Sequence, residues 1–518
     1  MKKIALLFAA AALLPCVPAT GTDLGNIVFI GDSITQSDGT HAVSYRYSLW
    51  KNFVDNDVAY NPVGSMKNYF GGATSSALVT NYRGETFDNT NEGHFGWDAP
   101  WITTGTTDGR NGSTFPSGTT TTGKGLSDWI DTYYSALPDT ATVLIGINDL
   151  SRNNDHRDFN NLLANQKAIV EVLQAKNANV TVHMFSLLPS GQGSWSNGLN
   201  PGTAPGEYNA LLKSTVESGA WNTATSTVVY HDITTGFNPT NGVHTYDSLH
   251  PQAQGELILA GNIARALGVG QRTVGLERRA AANLSSQLNF GSASASKPTI
   301  KTSIAGVEKT FTTAASGITT NAAGNLVFNT AAAGGFDTRL VWSDLSVAQE
   351  LTLSFSVKMT ERNNQNNQFG IIVGNGAEAG LFYLRENGVY WNTTLLYGTA
   401  VGDPYESVSF TDDFNDFTIA WIDGSERGVS SGFYIWLGDQ LIGEGLGAVG
   451  GVSTYKNTLL FGDIGSSQFA DCELAAVSFE LGAAYAPEAL TIPEPSAFGW
   501  LAGTLALALA GTRRRRKK

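Results

Sequence analysis

The period of hydrophobic and polar positions changes partway along the chain. Up to about Leu267, short solid apolar runs alternate with stretches of helical spacing. Residues 26–30 form an apolar run ended by Gly31, and residues 142–145 form a second ended by Gly146. Both predict strands buried on two faces, as in a parallel sheet. Residues 180–187, closed by Pro189, and residues 228–230 predict two more. Residues 44–54 place Tyr47, Trp50 and Val54 at helical spacing, with Leu49 and Phe53 beside them. Residues 159–175 do the same with Leu162, Ile169, Val172 and Leu173. Residues 207–216 predict a further helix. Residues 252–267 predict a closing one, with Leu257, Ala260, Ile263 and Leu267 on one side. Repeated strand and helix units imply a parallel sheet with helices on both faces. Residues 103–127, rich in Thr, Gly and Ser, read as a long surface loop of the kind that borders binding sites.

A polar stretch at 271–286 reads as a linker, and beyond it the period falls to two. Residues 351–359 (LTLSFSVKM) alternate strictly. Asn387-Gly388 and Gly438-Asp439 each sit between two apolar runs, which predicts hairpins. Residues 287–484 are therefore expected to form an all-β sandwich. Trp391, Trp421 and Trp436 fall on these strands. They could stack on sugar rings, but strands favour aromatic residues for packing alone.

Composition narrows the class. A chain of 518 residues is too long for one core, so two or more domains are expected. Hydrophobic residues at 42% against 15% charged ones fit a globular chain. The net charge is −13, with eight of the 32 Lys and Arg confined to Lys2, Lys3 and residues 513–518. The body between them is more acidic still, which excludes nucleic acid as a partner and fits a soluble extracytoplasmic protein. Only Cys16 and Cys472 are present, and no Cys/His cluster has zinc spacing.

Both ends read as processing segments. Residues 1–19 have a basic start, an apolar run at 4–14 and small residues at Val17-Pro18-Ala19, the anatomy of a secretory signal. With the signal removed, Cys472 is the one thiol left and no internal disulfide can form. Cys16 raises a lipoprotein alternative, which Pro15 fits poorly. At the far end, Pro493-Glu494-Pro495 precedes an uncharged apolar run at 497–511 and then a block of Arg and Lys. The run is somewhat short for a bilayer span, and the basic block should stay cytoplasmic. This three-part tail, residues 485–518, resembles the PEP-CTERM sorting signal. That resemblance implies membrane attachment before processing, a sorting protease, and delivery to the cell envelope or surface of a Gram-negative-type bacterium.

The chemistry starts at Ser33, in "IVFIGDSITQ". In open α/β sheets, sites lie beyond the carboxyl ends of the strands, and a helix starting just after Ser33 would aim free N–H groups there. The same residues, Asp32 or Ser33, could equally be a plain helix cap. A nucleophilic serine needs a base. Of seven histidines, His250 has the company for it. Asp247 lies three residues before it and Pro251 follows, a spacing that can put the carboxylate on one imidazole nitrogen. Asp247 could otherwise cap the helix after Pro251. An oxyanion site could be built from Asn148 in "GINDL" and a glycine of "NEGHFGW", Gly93 or Gly96. Ordinary turns would also account for those residues.

Together, "GDSIT", "EGHFGW", "GIND" and "DSLHP" resemble the four blocks of the SGNH (GDSL) hydrolase family, over about residues 27–267. The resemblance implies a flavodoxin-like three-layer sandwich over residues 20–270. It implies Ser33 as nucleophile, His250 as general base and Asp247 as its orienter. Ser33 N–H, Gly96 N–H and the Asn148 side chain would form the oxyanion hole, with no metal or organic cofactor. Ile147 replaces the Thr common in the third block. "SYRYSLWKNF" and "EGHFGW" look like the branch that removes acetyl groups from glycans, so an acetylated glycan is the expected substrate. The aromatic-rich residues 45–53 and the Thr/Gly loop favour short acyl groups and sugar. A lysophospholipase- or thioesterase-type lipid hydrolase, or a glycan-binding protein with a silent hydrolase domain, are the alternatives. The second half resembles laminin-G and concanavalin-like jelly rolls.

Overall fold

In this computed structural model the described residues lie between 22 and 481, without 71–81, 83–84, 106–123, 153–157, 270–285 and several shorter stretches beyond 285. The signal segment, most of the Thr/Gly loop, all but the last residue of the linker and the sorting tail with its apolar run therefore lie outside the described residues. Among the described residues, no helix is long and apolar enough to cross a membrane.

The first half runs β1 (Asp23–Gly31), α1 (Ser33–Gln36), α2 (Tyr45–Asp55), β2 (Ala59–Val63), β3 (Glu92–Gly93), α3 (Ala99–Thr104) and α4 (Leu126–Tyr133). It continues with β4 (Thr140–Leu144), α5 (Ile147–Ser151), α6 (Phe159–Lys176), β5 (Thr181–Phe185), α7 (Ala204–Glu217), β6 (Val228–His231) and α8 (Ala253–Ala266). The parallel sheet has the order β2-β1-β4-β5-β6, with β3 paired to the end of β1. Without the two-residue β3 this is the flavodoxin-like order, with the crevice at the carboxyl end of β1. Helices α2 and α8 pack together on one face, and α3, α4, α6 and α7 on the other. The predicted α/β sandwich is the observed one. β1 and β4 are solid apolar runs because both of their faces are covered. Five elements escaped the pattern: β2, with Asn61 and Pro62 in it, the two-residue β3, and the short α3, α4 and α5.

The aromatic stretch at 45–53 is a finding against expectation. Tyr45, Tyr47, Leu49, Trp50 and Phe53 are buried in α2, where Ser44 caps the helix through Arg46 N. Those rings pack in the domain's interior, so their aromatic character by itself gives no reason to expect a sugar or a short acyl group.

The second half is all-β. An eight-stranded and a six-stranded sheet face each other through Phe355, Phe382 and Phe417, with Phe328 against Phe369. The alternating run Leu351–Met359 is a strand. The hairpin at Asn387-Gly388 forms one residue earlier than predicted. Gly388 pairs with Arg385, which leaves Glu386-Asn387 as the turn. Leu437 pairs with Gln440 around Gly438, whose φ is +55°. The predicted linker's last residue, Ser286, is already a strand residue. Trp391, Trp421 and Trp436 are all buried, with the indole N–H of Trp391 on Gly447 O, so none offers a face to a sugar.

The two halves meet along α8. Leu257 packs with Ala420, Ile422, Tyr434, Trp436 and Leu441. Gln254 Nε2 donates to Leu396 O (3.0 Å), Gly398 N to Gly236 O (3.1 Å) and Arg265 to Gln440 Oε1 (2.9 Å).

Candidate active site

Ser33 stands at the carboxyl end of β1, buried, in the tight turn that Gly31 opens. A side chain on Gly31 would strike Thr35 and the Leu144 carbonyl. Asp32 caps the turn by accepting from Ile34 N (3.0 Å). The helix that follows starts at Ser33 itself. α1 is a single turn, so it supplies little dipole and the site must rely on individual N–H groups.

His250 comes to Ser33 from the far side of the chain. Its Nε2 lies 2.8 Å from Ser33 Oγ, and its Nδ1 lies 2.7 Å from Asp247 Oδ2. Asp247 Oδ1 also accepts from Leu249 N (3.0 Å) and His250 N (2.7 Å). Asp247 thus organises its own tight turn, with Ser248 at φ +69°, and does not cap α8, whose N-cap is Gln252. Partial burial pushes the Asp247 carboxyl up, but the bonds from the His250 ring and backbone outweigh it and hold the group below its ordinary value. An ionised Asp247 fixes the proton on Nδ1 and leaves Nε2 to accept the Ser33 hydroxyl proton.

The second block separates the two glycine candidates. Gly93 is the end of β3, and its N–H donates to Asn91 Oδ1 (2.8 Å). Gly96, at φ +76°, has no hydrogen-bond partner for its N–H among the described residues, and neither does Ser33. Phe95 N donates to Gln36 Oε1 (2.7 Å) and His94 N to Gly31 O (2.9 Å), which seats this loop against the serine turn. Asn148, on α5, spends one amide hydrogen on Trp97 O (3.0 Å) and keeps the second. Two backbone N–H groups and one amide hydrogen are thus left uncommitted, the complement an oxyanion hole requires.

Four contributors were not singled out in the sequence. Arg152 bonds Asp98 and the Gly96 carbonyl, and its guanidinium lies 3.4 Å from Asn148 Oδ1. It therefore ties the second block to the third. Its position four residues after Asn148 on a helical turn was the available signal. Asp149 accepts from Ala99 N (2.9 Å), and burial followed by the neighbouring Asp98 pushes its carboxyl well up. Phe95 and Tyr246 flank the His250 ring, each with a centroid spacing of 5.6 Å and nearly parallel planes. Burial also raises Asp32, to about 6, against the pull of Ile34 N, His250 and Arg152.

Beside the site, Glu256 on α8 anchors the loop before α2 by accepting from Val43 N (3.1 Å). Burial raises its carboxyl from 4.5 to about 8. The folded state then holds a proton that the unfolded state releases between those values, so stability falls as pH rises through the window. The slope is at most about 1.4 kcal/mol per pH unit. Glu256→Gln is expected to melt progressively higher than the parent protein between pH 5 and pH 8. Thermal unfolding of both proteins across that range checks it, and a constant difference would refute it.

Residues 27–263 match the family model described as GDSL-like Lipase/Acylhydrolase. No curated protein matches the chain. Among solved structures, an acetyl esterase mutant with acetate ion is 22% identical over 47% of this chain and 95% of its own, with a TM-score of 0.33. A carbohydrate esterase family 3 protein from Talaromyces cellulolyticus gives the same four values. A member of the lipolytic protein G-D-S-L family from Veillonella parvula is 14% identical over 46% of this chain and 97% of its own, with a TM-score of 0.29. Likenesses this low carry no weight for substrate. The family model supports a GDSL-type esterase or acylhydrolase domain over residues 27–263, where the four sequence blocks lie, and names no substrate.

Proposed function

We propose that the chain is an exported, surface-retained serine esterase that removes O-acetyl groups from glycans through an acyl-enzyme. The observation that carries the esterase chemistry is the relay Asp247–His250–Ser33, at 2.7 and 2.8 Å, beside the uncommitted N–H groups of Ser33 and Gly96. Ser33 Oγ attacks the acetyl carbonyl while His250 Nε2 takes its proton, and Asp247 stabilises the imidazolium. The oxyanion collects hydrogen bonds from Ser33 N, Gly96 N and the free amide hydrogen of Asn148, each worth about 3–4 kcal/mol by precedent. His250 then protonates the departing sugar oxygen. A water activated by the same imidazole hydrolyses the acetyl-serine and releases acetate.

The acetyl group and the glycan rest on the likeness of "EGHFGW" and "SYRYSLWKNF" to the acetylesterase branch. Export and surface retention rest on the two terminal segments. Acetate release measured across acetylated xylan, pectin and sialoglycans, against a series of p-nitrophenyl esters of rising chain length, tests the substrate. Release from at least one glycan and a preference for acetyl over octanoyl are expected. A preference for long acyl chains with no glycan turnover would replace this reading with a lipid ester hydrolase.

A further inference from the structure

The catalytic dyad has a twin. "SDGTH" at 37–41 repeats the Asp-x-x-His spacing of "YDSLH" at 246–250, and the two fold alike. Asp38 Oδ1 accepts from Thr40 N and His41 N, both at 2.9 Å, and Asp38 Oδ2 lies 2.7 Å from His41 Nδ1. Asp247 makes the same three bonds to Leu249 N, His250 N and His250 Nδ1. In both, the carboxylate holds the proton on Nδ1 and turns Nε2 outward as an acceptor. The Nε2 of His250 meets Ser33. The Nε2 of His41 has no protein partner among the described residues, and the side chain is 55% exposed.

The twin is near the site. Tyr246 neighbours both imidazoles, 4.4 Å from the His41 ring at 20° and 5.6 Å from the His250 ring at 13°. The two imidazoles thus share one neighbouring ring, and they lie no further apart than an alcohol portion of one or two sugar rings can span. The fold does not need this imidazole. Its loop is held by Phe70 N on Ser37 O (3.0 Å), Ser37 Oγ on Ala42 O (2.8 Å) and Ser44 Oγ on Thr35 O (2.9 Å). Gly39, at φ +67°, closes on the Tyr69 ring, where a side chain would clash. Asp38 would keep its two backbone bonds with any residue but proline at position 41.

We propose that Asp38 and His41 form a subsite for the alcohol portion of the ester, in which His41 Nε2 accepts a hydrogen bond from a hydroxyl of a saccharide next to the acetylated one or on it. This rests on the reading of Ser33 as the nucleophile of a glycan esterase, and it adds a residue that selects polyhydroxylated leaving groups. Asp38 acts through His41 as a positioning residue.

The test uses the full chain. kcat and KM are measured for acetylated xylobiose and for p-nitrophenyl acetate, whose alcohol carries no further hydroxyl. The parent protein is compared with His41→Ala, His41→Gln and Asp38→Asn. The ratio of kcat/KM for the sugar ester over the nitrophenyl ester is expected to fall about tenfold in His41→Ala, the scale of one hydrogen bond. The fall should come mainly through KM, be smaller in Asp38→Asn, and be partly restored by the Gln carbonyl. An unchanged ratio in His41→Ala, or an equal loss on both substrates, would overturn the subsite while leaving the esterase reading intact. A parent protein that hydrolyses neither ester would overturn the esterase reading itself, and one that hydrolyses only the nitrophenyl ester would overturn the subsite together with the choice of sugar.

Discussion

Ser33→Ala is expected to lose ester turnover by a factor of about 10⁴ or more and to melt with the parent protein. The size follows from how such a unit works. Removing the nucleophile or base of a serine triad costs about as much as removing the whole triad, because each member is useless without the others. Here the dependence is visible in the chain of bonds. His250 has Ser33 on one nitrogen and Asp247 on the other, and Asp247 spends both carboxylate oxygens on the His250 turn. The unfolding midpoint should hold because the Ser33 hydroxyl's bond to His250 braces nothing else. The turn is kept by Asp32 on Ile34 N and by Gln36 N on Asp32 O (3.0 Å). Ser33→Ala/His250→Ala should be no slower than either single variant. Hydrolysis of p-nitrophenyl acetate alongside thermal unfolding decides it. Parent-level turnover in Ser33→Ala would remove the triad from the mechanism, and an additive double variant would separate Ser33 from His250.

The reach of the sequence differs between these parts for physical reasons. Strands β1 and β4 were legible because burial on both faces forces solid apolar runs. α6 and α8 were legible because one covered face imposes a helical period. β2 was not, because an edge strand with Asn61 and Pro62 has neither pattern. Ser33, Asp247 and His250 were legible as a candidate set because chemistry fixes residue type and local spacing together, and the fold brings the three within hydrogen-bond distance. The choice between Gly93 and Gly96 was open in the sequence, since it depends on which N–H a neighbour consumes. In the fold Asn91 takes the one on Gly93, which leaves Gly96 as the candidate. Arg152 and Tyr246 went unnoticed because each acts through partners distant in the chain, Gly96 and His41 among them. The aromatic run at 45–53 misled because a ring that fills a core and a ring that binds a sugar are the same residue type.

The junction along α8 sets the second expectation. The sequence leaves residues 287–484 as a sugar binder or a spacer, and either role would tolerate a loose connection. The contacts describe a brace. α8 begins directly after the His250 turn, and Thr245 pairs with Pro251 across that turn. Gln254, in the first turn of α8, donates to Leu396 O of the second domain. Leu257, next along the helix, is buried among Tyr434, Trp436, Ala420, Ile422 and Leu441. A carboxylate placed there has no cation within the cluster to pair with, so Leu257→Asp must either bury an unpaired charge or part the two surfaces. Truncating a buried Leu costs about 2–5 kcal/mol, and an added buried charge raises that. The variant is therefore expected to unfold at a clearly lower temperature. It should also lose kcat, because parting the surfaces frees the start of α8 and with it the His250 turn. Leu257→Ala should lie between it and the parent on both measures. Parent-like kcat in Leu257→Asp with only the melting temperature lowered would make the junction a matter of stability alone. Parent-like values on both measures would return the second domain to the role of a spacer.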